Sequence, residues 1–161
     1  MKAVITFGLP GSGKTTYIEE HYSRCTGQNI ISADNIKPTL QGWDEKNPSI
    51  VHQESVRLAK ELVLKAVDDK VDFVFDSGSI NSKYSRNLFQ LIKQGGYDIH
   101  LIVFDIPVEI CLERNKQRSF QVPEDDILAK EREKWGALIA ILPYCNRIDT
   151  ITIEGQRKYK R

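Results

Sequence analysis

The sequence predicts an α/β fold built on a parallel sheet, and three observations carry that prediction. Short apolar runs alternate with segments of helical periodicity along the chain. A glycine-rich turn joins the first apolar run directly to a helical segment. Aspartates stand at or just past the ends of three later runs, on the side where ligands of such sheets bind.

The elements follow in order. Ala3-Val4-Ile5-Thr6-Phe7 reads as a buried strand, and the turn after it becomes helical over Thr16 to Glu20. Asn29-Ile30-Ile31 is the end of a second strand that breaks into Ser32-Ala33-Asp34-Asn35, so Asp34 sits just past it. Lys37-Pro38 disfavours a long helix, and Gln41-Gly42-Trp43 continues as loop. Pro48 opens a long helix with Ile50, Val51, Leu58, Ala59, Leu62, Val63, Ala66 and Val67 on one face. Val71 to Asp76 is a third strand. Ser77 to Asn81 then turns into a helix carrying Leu88, Leu91 and Ile92, stopped by Gly95-Gly96. Asp98 to Asp105 is a fourth strand, and Pro107 suits the first turn of a helix running through Ile110, Leu112 and Arg114. Gln117 to Glu124 is a polar connection. A helix from about Asp125 to Leu142 ends at Pro143, Thr150 to Ile153 is a last strand, and residues 155–161 form a basic tail.

A chain of 161 residues is expected to be one domain, 1–161, with a full core. The formal net charge of +1 sets up no global field that demands a polyanion, so a nucleic acid is neither required nor excluded. The opening apolar run is too short for a signal peptide and no stretch approaches a membrane span, so a cytoplasmic location is expected. Cys25, Cys111 and Cys145 show no C-x-x-C spacing and read as reduced structural thiols. His21, His52 and His100 are scattered and receive no catalytic or metal role. Trp135 is expected to pack into the core, whereas Trp43 either stacks on a ligand or closes over the core.

Chemistry concentrates in Gly8-Leu9-Pro10-Gly11-Ser12-Gly13-Lys14-Thr15, which fits G-x-x-x-x-G-K-[ST] between a strand and a helix. Glycines let the backbone amides approach phosphate oxygens, and the helix N-terminus adds free N–H groups beneath them. Gly11, Ser12, Gly13, Lys14, Thr15 and Thr16 are thus the expected nucleotide cradle. Lys14 supplies charge to the outer phosphates, and Thr15 offers a hydroxyl to Mg²⁺. The strand ending at Asp76-Ser77 lacks a second acidic residue, which favours transfer to an alcohol over hydrolysis by a switch or motor subunit. Asn115-Lys116-Gln117-Arg118 lacks the aspartate that would pair with guanine, so ATP is the expected donor. Among Asp34, Asp76 and Asp105, one should act as base and another should orient Mg²⁺ or its waters; Asp34 is favoured as base, and Asp105 as a helix cap. Arg114 and Arg118, four apart, would share a helix face and close over the γ-phosphate.

Together with Ile31-Ser32-Ala33-Asp34, Phe104-Asp105-Ile106-Pro107, Glu113 to Arg118 and Val122-Pro123, the loop resembles the kinase domain of phage-type polynucleotide kinase over roughly residues 1 to 135. The resemblance implies an adenylate-kinase-like three-layer fold with a five-stranded parallel sheet and a helical lid. It also implies ATP and Mg²⁺ as cofactors, Asp34 as general base, and Arg114 with Arg118 as the lid clamp. The implied acceptor is the 5′-hydroxyl end of DNA or RNA, and no obligate protein partner is evident. Lys37 stands where the family holds the acceptor phosphate with arginine, so Lys37 and Asp76 are the expected substrate-side residues. The segment after Asp76 is one residue longer than the family pattern, and no accompanying phosphatase domain is expected. Zeta-toxin-like kinases of UDP-amino sugars and phage kinases of hydroxymethylated bases share the same core, so the acceptor separates these readings.

Overall fold

The computed structural model describes residues 1–22, 29–78 and 81–159, the last three by backbone alone. Five strands form one sheet in the order β2-β3-β1-β4-β5, every neighbouring pair parallel. They are β1 (Lys2–Phe7), β2 (Asn29–Ser32), β3 (Phe73–Asp76), β4 (Asp98–Asp105) and β5 (Arg147–Thr152). The helices are α1 (Lys14–His21), α2 (Ala33–Ile36), α3 (His52–Asp68), α4 (Ser82–Gln94), α5 (Val108–Lys116), α6 (Glu124–Ile141) and α7 (Ile153–Tyr159). This is the expected α/β three-layer architecture.

The central strands are apolar because helices cover both of their faces. Ala3, Ile5 and Phe7 of β1 and Leu101 and Val103 of β4 lie in register on one face, all buried. Thr6, Ile102 and Phe104 point to the other face, where Tyr17 of α1 meets the Phe104 ring edge-on at 5.6 Å. Helices α3, α4 and α6 adjoin one another in a row. In α3 the buried stripe is Ala59, Val63 and Ala66, the i, i+4, i+7 spacing of one helix face. Asn81 caps α4 by accepting the Tyr84 backbone N–H at 2.9 Å.

Several boundaries depart from expectation. Residues 48–51 form a 3₁₀ turn, with α3 starting only at His52, so Ile50 lies off the helix and is exposed; Leu62 is exposed too. β3 starts at Phe73, two residues late, because the Asp72 carboxylate turns aside to accept the Lys2 backbone N–H at 2.7 Å. β5 ends at Thr152, and Ile153 opens α7, so most of the expected basic tail is a helix; Lys160 and Arg161 lie outside the described residues, as does Cys25. Trp135 is 51% exposed, on the outer side of α6 beside the Lys134 ammonium. Cys111 and Cys145 are free thiols, and burial pushes Cys145 up to about 11, which keeps it protonated and unreactive. His100 pairs with Asp149 at 2.7 Å on the sheet edge, away from the strand ends that bear the loop.

Tyr97 is 1% exposed, and its hydroxyl lies 2.8 Å from the carbonyls of both Ala66 and Val71, which share its one proton, pinning the end of α3 to the start of β4. Removing that hydroxyl takes the donor from the part-buried Val71 carbonyl, while the Ala66 carbonyl keeps the Val71 N–H at 3.1 Å. Tyr97→Phe should cost about 1–3 kcal/mol, read as a lower urea midpoint with unchanged slope.

Candidate phosphate-binding cleft

Strand order reverses at β1, with β3 on one side and β4 on the other, and the carboxyl ends of these strands deliver the glycine loop and Asp76 to one place. The loop needs its glycines at two positions in particular. Gly11 and Gly13 have φ of 83° and 94°, where other residues are strained. A Cβ on Gly11 would also stand 2.6 Å from the carbonyl oxygen of Cys111 in α5. Gly13 caps α1, and among the described residues no side chain caps the first-turn amides of the helix.

Lys14 folds back across this loop and donates to the carbonyls of Gly8 at 2.9 Å and Leu9 at 2.8 Å. Burial pushes its ammonium down to about 8, with Asp76 opposing the shift and Lys130 adding to it. Thr15 donates its hydroxyl to Asp76 at 2.9 Å, and Thr6 donates to the other carboxylate oxygen at 3.1 Å. Asp76 is 8% exposed. A hydroxyl beside a carboxylate is an all-oxygen donor pair, which fits a hard ion that keeps water and phosphate oxygens in its shell. Thr15 and Asp76 are the residues that would hold Mg²⁺, directly or through its waters.

Asp34 occupies the first turn of α2, one helical turn only, as Lys37-Pro38 implied. Lys37 donates to it at 2.8 Å, and the two differ in exposure: 14% for Lys37 and 58% for Asp34. The carboxylate faces the open cleft with the ammonium tucked behind. Burial works to raise the Asp34 carboxyl, but the Lys37 hydrogen bond and the charges of Lys37, Arg118 and Lys14 outweigh it and hold it below the ordinary value. It is ionised at neutral pH.

The two arginines differ from expectation. α5 ends at Lys116, so Arg118 lies past the helix and does not share its face with Arg114. The reason is Asn115, whose buried amide donates to the Val122 carbonyl at 2.7 Å and accepts the Val122 N–H at 2.9 Å, closing the connection 117–122 into a loop. The expected helical lid is therefore α5 plus a non-helical connection. Arg114 donates to the Gly11 carbonyl at 3.3 Å and to Gln156 at 2.8 Å, so it braces the loop from outside. Asp105 is exposed at the end of β4, and α5 is capped at Pro107 with no side-chain cap, so the expected Asp105 cap does not form.

A cleft of about 1000 Å³ brings together Lys14, Thr15, Asp34, Lys37, Asp76, Arg114 and Arg118. Residues not anticipated also line it: Lys130 from α6, Phe120 from the connection, and Tyr84 from α4. Gln156 was not anticipated either. Its amide donates to the Ser12 carbonyl at 2.6 Å, and a polar residue in a basic tail gives no periodic signal for such a contact.

A family model described as an AAA domain matches residues 4–137. An L-seryl-tRNA(Sec) kinase of Methanococcus maripaludis is 23% identical over 128 residues, 77% of this chain and 49% of its own length. The chain thus spans about half of that curated relative. Among solved structures, one from the PezAT chromosomal toxin-antitoxin system of Streptococcus pneumoniae superposes with a TM-score of 0.71 at 17% identity, covering 95% of this chain and 68% of its own. A chain of the Pnkp1/Rnl/Hen1 RNA repair complex gives 0.69 at 18% identity, covering 86% and 45%. These structures share the fold. Among the described residues no helix is long and apolar enough to cross a membrane.

Phosphate oxygens favour the charged form of Lys14, while the free protein loses that charge as pH rises through about 8. Polyphosphate affinity should therefore fall above that pH, by up to about tenfold per unit, and Lys14→Met should abolish the slope. Calorimetric titration with ATP across that range measures it.

Proposed function

The chain belongs to the AAA domain family, and from that premise we propose an ATP- and Mg²⁺-dependent phosphotransferase that moves the γ-phosphoryl group to an alcohol. The foremost acceptor is the 5′-hydroxyl end of a polynucleotide. One observation supports the reading above the rest: an ionised carboxylate, Asp34, opens into the same cleft as Lys14 and the glycine loop. A hydrolysing switch has no use for a base placed to receive an alcohol.

Lys14 and the loop amides bind and orient the phosphates, and Arg118 faces the developing charge on the transferring group. Mg²⁺, held by Thr15 and Asp76, would neutralise charge on the phosphate oxygens. Asp34 accepts the hydrogen bond of the attacking hydroxyl and takes its proton as the O–P bond forms. Its pKa is held low, so it is a weak base. That suits a loose transition state, in which the proton leaves late and alignment of the hydroxyl matters more than basicity. Lys37 keeps the carboxylate aimed and charged. A nucleic acid acceptor is supported by the kinase relative named for a tRNA and by the neighbour from an RNA repair complex, both similar to this chain.

Asp34→Asn should lower transfer by about two to four decades while ATP binding stays nearly intact. Equal loss of both would make Asp34 structural. Transfer of γ-labelled phosphate to 5′-hydroxyl oligonucleotides, modified-base DNA, nucleosides and UDP-amino sugars identifies the acceptor; phosphate release at the same rate without any acceptor would overturn the reading.

A further inference from the structure

The peptide that joins Ser12 to Gly13 is held by a side chain 144 residues on. The Gln156 amide of α7 donates to the Ser12 carbonyl at 2.6 Å, and its oxygen accepts from Arg114 at 2.8 Å. The fit is close. A Cβ on Gly13 would stand 2.7 Å from the Gln156 nitrogen, so Gln156 lies flush against a bare α-carbon.

Glycine makes such a hold necessary. Turning a peptide plane over changes ψ of the residue before it and φ of the residue after it, each by roughly a half-turn. At Gly13 the flip carries φ from 94° to the negative side, which glycine occupies as readily. On the Gly13 side, then, the backbone favours neither orientation. The nearby loop bonds do not choose either. The Ser12 N–H donates to the Leu9 carbonyl and the Gly13 carbonyl accepts from the Tyr17 N–H at 3.0 Å, and neither group belongs to this peptide. Turned over, the Ser12 carbonyl would point into the loop and the Gly13 N–H out of it. A loop that binds anions through its amides loses one donor that way and gains a repelling oxygen.

On the phosphotransferase reading, we propose that Gln156 is a positioning residue of the donor site, whose hydrogen bond to the Ser12 carbonyl keeps the Gly13 N–H turned toward the donor phosphates. It acts through the loop amide and not by contact with the donor. Arg114 serves the same end: its guanidinium claims the Gln156 side-chain oxygen, which leaves the nitrogen for Ser12. Without Gln156 part of the population turns over, and apparent phosphate affinity falls with the fraction that stays competent. One hydrogen bond of ordinary strength corresponds to a factor of about three to ten in that fraction.

The test uses the full chain and two probes, inorganic tripolyphosphate and ATP, each titrated with Mg²⁺ by calorimetry into wild type, Gln156→Met and Gln156→Ala. Methionine keeps the length of the side chain and removes both polar atoms without adding charge. Both variants should bind tripolyphosphate and ATP about three- to tenfold more weakly, by the same factor for the two probes. In turnover, KM for ATP should rise with kcat within about twofold. With ¹⁵N-labelled glycine, the Gly13 amide resonance should move when tripolyphosphate is added to wild type and move less in the variants. The Gly95 and Gly96 resonances at the end of α4 should stay in place, which separates a turned peptide from a lost fold. Unchanged tripolyphosphate affinity in Gln156→Met overturns the proposal. So does a loss confined to ATP, which would make Gln156 a contact to the base or sugar of the donor. Failure of the phosphotransferase reading is distinct, since wild type itself would then transfer no label to any alcohol in the acceptor panel.

Discussion

A single buried carboxylate joins the sheet to the glycine-rich loop. Asp76 stands opposite Thr6 in the β1–β3 register and accepts from both Thr6 and Thr15. One oxygen is thus tied to the strand before the loop and the other to the helix after it. A carboxylate this far from water persists only because both oxygens are hydrogen-bonded. The spacing between the carboxyl end of β1 and the first turn of α1 is fixed by that pair of bonds, and everything else in the cleft is placed relative to it.

The cleft is a balance of opposed charges in a partly dry space. Lys14 sits beside Asp76, Lys37 beside Asp34, and Arg118 and Lys130 face the carboxylates across the opening. Desolvation weakens each cation and each anion alone, and mutual attraction restores them unequally. Asp34 comes out below its ordinary value and Lys14 well below its own. Both shifts share one remedy, which is a polyanion in the cleft. It would draw the proton back onto Lys14 and relieve the crowding of cations around Asp34.

The fold was legible because a parallel sheet buried on both faces writes itself as apolar runs separated by helical periods, and a glycine loop between strand and helix leaves little choice of geometry. Asp34 and Asp76 were legible for the same reason, since strand ends locate them. What the sequence hid falls into two kinds. The first is local: Ile50 and Leu62 fit a helical face on paper, but the 3₁₀ start and the Ala59-Val63-Ala66 stripe turn both outward. The four-residue spacing of Arg114 and Arg118 failed likewise, because Asn115 ends α5 through a hydrogen-bond pair to Val122 that spacing cannot register. The second kind is long-range. Lys130 looks like any lysine on an amphipathic helix, and only the packing of α6 against α4 and α5 brings it to the cleft.

Gln156 is the furthest such case, and it bears on the loop itself. A trans peptide places its C=O and the next N–H on opposite sides. Gln156 holds the Ser12 carbonyl from the outside, so the Gly13 amide is turned away from α7 and toward the interior of the loop. Arg114 does the same to the neighbouring Gly11 carbonyl, which sends the Ser12 amide inward to its 3.1 Å bond with the Leu9 carbonyl. Gln156 and Arg114 also bond each other, so α5 and α7 act on consecutive peptides as one brace. The left-handed φ values of Gly11 and Gly13 set which conformations the loop can take; the brace selects among them. A residue that seemed part of a basic tail thus fixes the orientation of a loop amide, and the last helix is structurally part of the loop that begins at Gly8.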